Sequence, residues 1–211
     1  MFKDRVEAGK RLAEKFKKYK NKKEVIVLAV PRGGVIVGRE VADFLGCPLD
    51  VCVTKKLGAP NQSELAVGAV GPGGVWVADE RIAQSTGADE KYLKRETEIK
   101  TEEIKRRMEE YRKGKKELNL KSRVVILVDD GIATGATMEA AAKWLRQKKV
   151  NKIALAVPVA PPDSIQKLKK LFDEVVCLET PWSFFAVGQF YDEFGQTTDE
   201  EVMELLRGDK R

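Results

Sequence analysis

Histidine is missing altogether from the 211 residues. Its absence removes the commonest general base and metal ligand from consideration. Cysteine is scarce: Cys47, Cys52 and Cys177 follow no metal-ligand spacing and are odd in number. They read as buried thiols of a reducing cytoplasm, the expected location, rather than as a disulfide frame or a zinc site. No apolar run is long enough to span a membrane and no secretory h-region is present, so neither export nor a membrane role is expected. A P-loop lysine motif and a dinucleotide glycine fingerprint are also absent, which leaves a phosphatase or nucleotide-binder reading distant.

What is present suits a soluble globular chain, 43% hydrophobic and 34% charged. Its length fits one α/β domain over residues 1–211, with room for a substantial core. Formal net charge is +6, but lysines and glutamates are interleaved and no Arg/Lys–aromatic stripe stands out. Nucleic acid is therefore not expected as a partner, and the surplus reads as a solvated surface with a local field for an anionic substrate.

The chain centres on Val124–Thr137, Val-Val-Ile-Leu-Val-Asp-Asp-Gly-Ile-Ala-Thr-Gly-Ala-Thr. Its first five residues read as a buried parallel strand. Asp129 and Asp130 end that strand, small residues follow, and a helix begins near Gly135. In open α/β sheets ligands sit where strands end and helices begin. The unpaired first amides of such a helix suit a phosphate. The loop Ala133–Thr137 has no bulky side chain in the way, Gly135 permits an unusual φ, and Thr134 and Thr137 add hydroxyl donors. Two acids beside a phosphate cradle make sense if the ligand also carries a diol, a bound metal or a developing cation. A phosphorylated sugar offers all three. The competing reading, an ordinary strand end with a Gly-Thr helix start, explains each residue singly but not the combination.

Two acids, two further residues and then Ala-Thr-Gly-Ala-Thr after a hydrophobic strand resemble the PRPP-binding motif of the type I phosphoribosyltransferases. The resemblance implies a parallel sheet flanked by helices, with a small hood and a mobile hairpin. It implies PRPP and a nitrogen acceptor as substrates and Mg2+ as cofactor. By that match Asp129 and Asp130 hold the ribose hydroxyls and Ala133, Thr134, Gly135, Ala136 and Thr137 take the 5′-phosphate.

Other stretches fit around this centre. Met1–Lys20 reads as an amphipathic helix. Glu24–Val30 is a strand running into Pro31-Arg32-Gly33-Gly34, with a helix over 35–45. A guanidinium fork and bare amides suit an anion, and in the resembled family this loop binds pyrophosphate, the match being Arg32, Gly33 and Gly34. Alone the motif is weak and also fits an ordinary tight turn, but the helix start favours the anion site. Leu49–Thr54 is a further strand, 57–63 an irregular stretch, and 65–70 with 75–78 a hairpin that resembles the family's mobile loop. Lys55 would meet pyrophosphate and Glu64 the substrate; a solvated lysine pair and surface hairpin are the alternative. Asp89–Lys113 is a charged helix, an insertion around 89–114 outside the resemblance, whose thin apolar seam leaves room for a homodimer. Strands at 153–159 and 175–178 flank a short helix with Asp163 as its cap. The alternation of strands and helices argues a parallel α/β sheet.

Beyond Thr180, Pro-Trp-Ser-Phe-Phe-Ala-Val-Gly-Gln-Phe-Tyr-Asp resembles the hypoxanthine–guanine branch. The match makes Phe185 and Val187 base-binding and Asp192 a magnesium contact through water. Trp182, Phe184, Phe190 and Tyr191 alternatively belong to the core. Two departures argue against 6-oxopurine specificity: Ala133 stands where that branch has an aspartate, and its base-recognising lysine has no counterpart in 159–162. A PRPP sensor without catalysis therefore stays open as the alternative to transfer, although the retained Pro31-Arg-Gly-Gly favours transfer.

Overall fold

The computed structural model of the chain describes residues 1–208. Helix α1 (Arg5–Lys15) starts at Asp4, whose carboxylate accepts the Glu7 amide at 2.7 Å. It is shorter than the helix expected over 1–20: that cap stops it before Phe2, and Phe16 diverts the chain into a 3-10 turn at Lys17–Tyr19. Next come β1 (Val25–Ala29), α2 (Gly34–Leu45) and β2 (Leu49–Val51).

A second, antiparallel sheet follows: β3 (Lys55–Ala59), β4 (Gln62–Val70) and β5 (Trp76–Ala78). The β4–β5 pair is the expected hairpin. The irregular path expected over 57–63 is instead a strand, turned at Asn61 with φ of 64°. Its register slips beside Gly58, and such bulges erase the period-two pattern by which a strand is recognised. After α3 (Glu80–Thr86), which the sequence pattern does not announce, the charged segment forms α4 (Glu90–Arg112).

The parallel sheet resumes with β6 (Val124–Val128), α5 (Ala136–Gln147), β7 (Lys152–Val159), α6 (Pro162–Leu168) and β8 (Glu174–Glu179). A 3-10 turn at Val187–Phe190 and α7 (Asp199–Arg207) complete the described chain. Asp163 is not the α6 cap: Pro161 holds that position and Asp163 lies in the first turn, where its charge favours the helix dipole.

The five-stranded sheet has the order β2-β1-β6-β7-β8, every pair parallel. All five residues of β1 and of β6 are buried, as both faces are covered. On one face Val27, Ile126 and Ala156 pack against Leu12 and Phe16 of α1 and Val41 and Leu45 of α2. On the other, Leu28, Leu127 and Leu155 meet Met138, Trp144 and Leu145 of α5. Strand order reverses between β1 and β6, and in doubly wound sheets the crevice at that reversal is where ligands bind.

The antiparallel sheet β3–β5 is tied down by α4. Leu93, Ile104, Met108 and Tyr111 are buried in one cluster with Leu57 of β3, Val67 and Val70 of β4 and Val202 and Leu205 of α7, while Ile99 is 43% exposed. The apolar seam of the charged helix is therefore used within its own chain. Arg112 grips buried Asp50 at 3.0–3.1 Å, and breaking such a pair by removing one partner costs ~3–5 kcal/mol. Among the described residues no helix is long and apolar enough to cross a membrane.

Candidate active site

β1 and β6 pair in register up to Ala29 and Val128, and the Val30 amide extends the pairing to the Val128 carbonyl at 2.8 Å. The loops that leave the two strands therefore meet. One brings Pro31-Arg32-Gly33-Gly34, with a cis Pro31–Arg32 peptide, and the other Asp129 and Asp130. The approach is close enough to need glycine. A β-carbon on Gly34 would lie 2.9 Å from the Asp129 α-carbon, and one on Gly33 would overlap Asp130 Oδ2. Gly33 has an ordinary helical φ of −59°, so space rather than backbone conformation excludes a side chain there.

The two acids are half-buried and differently held. Asp129 Oδ1 accepts the Asp130 amide at 2.8 Å. Burial, with the Asp130 charge added, holds the Asp129 carboxyl well above the usual carboxylate range, opposed by that amide and by Arg5. Asp130 Oδ2 accepts from Arg5 Nε at 2.7 Å, the two side chains only 10% and 16% exposed. Arg5 Nη1 donates to the Gly195 carbonyl at 2.8 Å, and the guanidinium lies 3.7 Å from the centre of the Phe194 ring. The Tyr191 hydroxyl donates to the Asp130 carbonyl at 2.5 Å. Sequence reasoning gives neither Arg5 nor Tyr191 a place in the site. Arg5 is 125 residues from its partner, and on a lysine-rich amphipathic helix nothing local sets it apart.

The loop after the acids is open to an anion. Ile132 is tied to β7 through the Val159 carbonyl, and the Ala133 carbonyl accepts Ser164 Oγ at 2.6 Å. Gly135 takes a left-handed φ of 82°, and no side chain caps α5. Among the described residues the amides of Thr134 and Gly135 have no hydrogen-bond acceptor. Ala133 and Thr134 are exposed, Ala136 and Thr137 half-buried. A helix start with free amides, flanked by two hydroxyls, lies beside the acid pair.

The remaining candidates surround this centre at varying remove. Arg32 is exposed and has no ion pair among the described residues. Its charge reaches Asp199 on α7, whose carboxyl is lowered by the Tyr111 hydroxyl first and by Arg107 and Arg32 further. Lys55 is partnered, 3.5 Å from Glu103 of α4. Val187 packs on Gly131, where a β-carbon would overlap its side chain, bringing the 185–190 segment against the acid loop. Phe185 and Trp182 are 89% and 88% exposed, so neither belongs to the core. Tyr191 does, packed on Phe2 with ring centres 5.4 Å apart. Asp192 is exposed and fixed through its amide to the Phe2 carbonyl. Among the described residues no cluster of three or more carboxylate or thiol groups is placed to hold a metal.

The phosphoribosyl transferase domain model matches residues 2–193. A Mycobacterium tuberculosis protein named "Putative phosphoribosyl transferase" is 45% identical over 206 residues, 98% of this chain and 46% of that protein. The chain thus spans about half the length of this curated relative. A Thermus thermophilus protein of known crystal structure is 43% identical, with a TM-score of 0.81 over 97% of each chain. A 13%-identical Aquifex aeolicus protein shares the fold alone, with a TM-score of 0.52 over 82% of this chain and 72% of that one. The matched span, nearly the whole chain, includes the acid pair and open loop at the sheet's reversal, and the protein belongs to the phosphoribosyl transferase domain family with the type I fold.

Proposed function

We propose that the protein transfers the phosphoribosyl group of PRPP to a nitrogen of a nucleobase or related acceptor, releasing pyrophosphate. The observation that carries this reading is the meeting of Asp129–Asp130 with the Gly33–Gly34 loop beside an uncapped helix start. A ligand with a diol, a phosphate and an anionic leaving group can use all three features at once.

In this reading the amides and hydroxyls of 133–137 hold the 5′-phosphate, and binding energy there positions the anomeric carbon. The bond from that carbon to pyrophosphate breaks, the pyrophosphate leaves with the electron pair, and the acceptor nitrogen forms the new bond and gives up its proton. The anomeric carbon passes through an oxocarbenium-like state, as in glycoside chemistry. Asp129 and Asp130 hold the 2′ and 3′ hydroxyls and place negative potential beside the developing cation. Arg32 and the amides of Gly33 and Gly34 receive charge building on the leaving group; one preorganised donor of this kind is worth ~10²–10³ in rate. Closure of residues 55–75 over the sugar, with Lys55 leaving Glu103 for the pyrophosphate, would keep water from the donor. Phe185 and Val187 would take the acceptor's face and edge.

The donor set offers two adjacent carboxylates, one already engaged by Arg5, and among the described residues no protein cage. That suits magnesium, which retains water and takes substrate oxygens as ligands. Asp129, Asp130 and Asp192 would hold it, largely through water. When bound, it supplies neutralisation of the pyrophosphate charge.

The test is pyrophosphate release from PRPP and magnesium across a panel of nucleobases and simple amines. Release that depends on one acceptor class is the expected result. PRPP retention without release for any acceptor would favour the sensor alternative, and failure to retain PRPP would overturn both.

A further inference from the structure

We infer that Arg5 is the positioning residue of the acid pair: by holding one oxygen of Asp130, it sets the remaining oxygens of Asp129 and Asp130 as a fixed edge for a diol. The diol's identity rests on the proposed transfer; the positioning geometry does not.

Two neighbouring carboxylates at a strand end repel each other, and on flexible side chains they would turn apart. Here each has one oxygen committed, Asp129 Oδ1 to the Asp130 amide and Asp130 Oδ2 to Arg5 Nε. Arg5 is itself held on three sides, by the carboxylate, by the Gly195 carbonyl and by the face of Phe194. Lysine could not replace it, because a single ammonium lacks the planar fork that meets a carboxylate and a carbonyl while lying flat on a ring. The fit leaves no slack: a β-carbon on Gly33 would stand 2.6 Å from Arg5 Nε as well as overlapping Asp130.

The brace draws in residues 2–5 and the segment before α7. Phe194 packs on Tyr191 with ring centres 5.0 Å apart, and Tyr191 holds the Asp130 backbone through its carbonyl. Phe2 pairs with the same segment, its amide on the Phe190 carbonyl at 2.8 Å and its carbonyl accepting the Asp192 amide at 2.9 Å. Residues 2–5 and 190–195 thus close on the end of β6. Asp130 is held by Arg5 through its side chain and by Tyr191 through its main chain. A purely structural ion pair would need no such attachment to the acids of the proposed sugar site.

The test compares Arg5→Ala, Arg5→Lys and Phe194→Leu with wild type by thermal melting, and by kcat and KM for PRPP. A crystal structure of Arg5→Ala supplies a readout independent of PRPP. Arg5→Ala is expected to lower kcat/KM by ~10–100-fold, the scale of one hydrogen bond to a charged group. Guanidinium chloride below denaturing concentrations should restore part of it, and Arg5→Lys should not substitute. Phe194→Leu, which keeps the ion pair but removes the ring beneath it, should lose less in the same direction and serves if Arg5→Ala does not fold. In the Arg5→Ala crystal the Asp130 carboxylate should rotate away from its wild-type position. An Asp130 carboxylate that stays in place, or a kcat/KM unchanged in a variant that only melts lower, overturns the inference. If wild type fails to bind PRPP, the transfer reading falls while the crystallographic comparison still decides the positioning.

Discussion

Alanine at Gly33 isolates the contact on which the site geometry depends. Because Gly33 has a helical φ, alanine adopts the backbone freely and by itself should stabilise the folded chain by ~0.4–1 kcal/mol. The new methyl would overlap Asp130 Oδ2, lie 2.8 Å from Asp130 Cγ and 2.6 Å from Arg5 Nε. One of the two side chains must leave the pair. Losing a partly buried hydrogen bond between charged groups costs ~1.5–3 kcal/mol, so the net loss should be about 1–2 kcal/mol. For a chain of this size that lowers the melting temperature by about 2–8 °C. With Asp130 displaced, PRPP affinity should fall tenfold or more, since ~1.4 kcal/mol is a factor of ten. Gly195→Ala is the control: nothing lies within 4 Å of its would-be β-carbon and its φ is not in the left-handed region, so its stability should move by less than ~0.5 kcal/mol. Calorimetry and a PRPP titration read both quantities. A Gly33→Ala protein with wild-type melting and wild-type PRPP affinity would refute the reasoning.

Phe185→Ala removes a ring that is 89% exposed; stability should change by less than ~0.5 kcal/mol, while acceptor KM rises severalfold and PRPP affinity holds. A melting loss without an acceptor effect would assign the ring to packing. Glu174 lies against Lys152, Lys18 and Tyr19. Burial raises its carboxyl, but hydrogen bonds from Lys152, Lys18 and Tyr19 outweigh that and bring it down to about 2 from the ordinary 4.5. A folded pKa below the unfolded one contributes stability that is full above about 4.5 and lost as pH falls toward 2. Glu174→Gln should therefore cost about 1–2 kcal/mol near neutral pH and almost nothing near pH 2. Denaturant melts at both ends of that window check it; an equal cost at both would contradict the assignment.

The parts legible in the sequence are those fixed by contiguous residues. The Val124–Val128 run, the two acids and the small-residue loop form one uninterrupted strand-to-helix passage, and the same holds for Val25–Gly34. Burial on both faces makes such strands uniformly apolar, which the eye reads easily. What escapes depends on distance or irregularity. Arg5 matters through a partner 125 residues away, and β3 is hidden by register shifts at its glycine. The spacing of Phe2 fits a helix face, yet Asp4 caps α1 after it, and Phe2 instead pairs with Tyr191. Trp182 and Tyr191 show the limit of composition: two aromatics nine residues apart, one in solvent and one at the base of the acid loop.

One measurement bears most directly on the acid pair. Equilibrium dialysis of labelled PRPP with magnesium compares wild type with an Asp129→Asn/Asp130→Asn double variant that melts normally. Amides keep the shape but lose the charge that the diol and the developing cation require, so wild type should retain PRPP and the double variant should lose most of that retention. Equal retention by both would contradict the account.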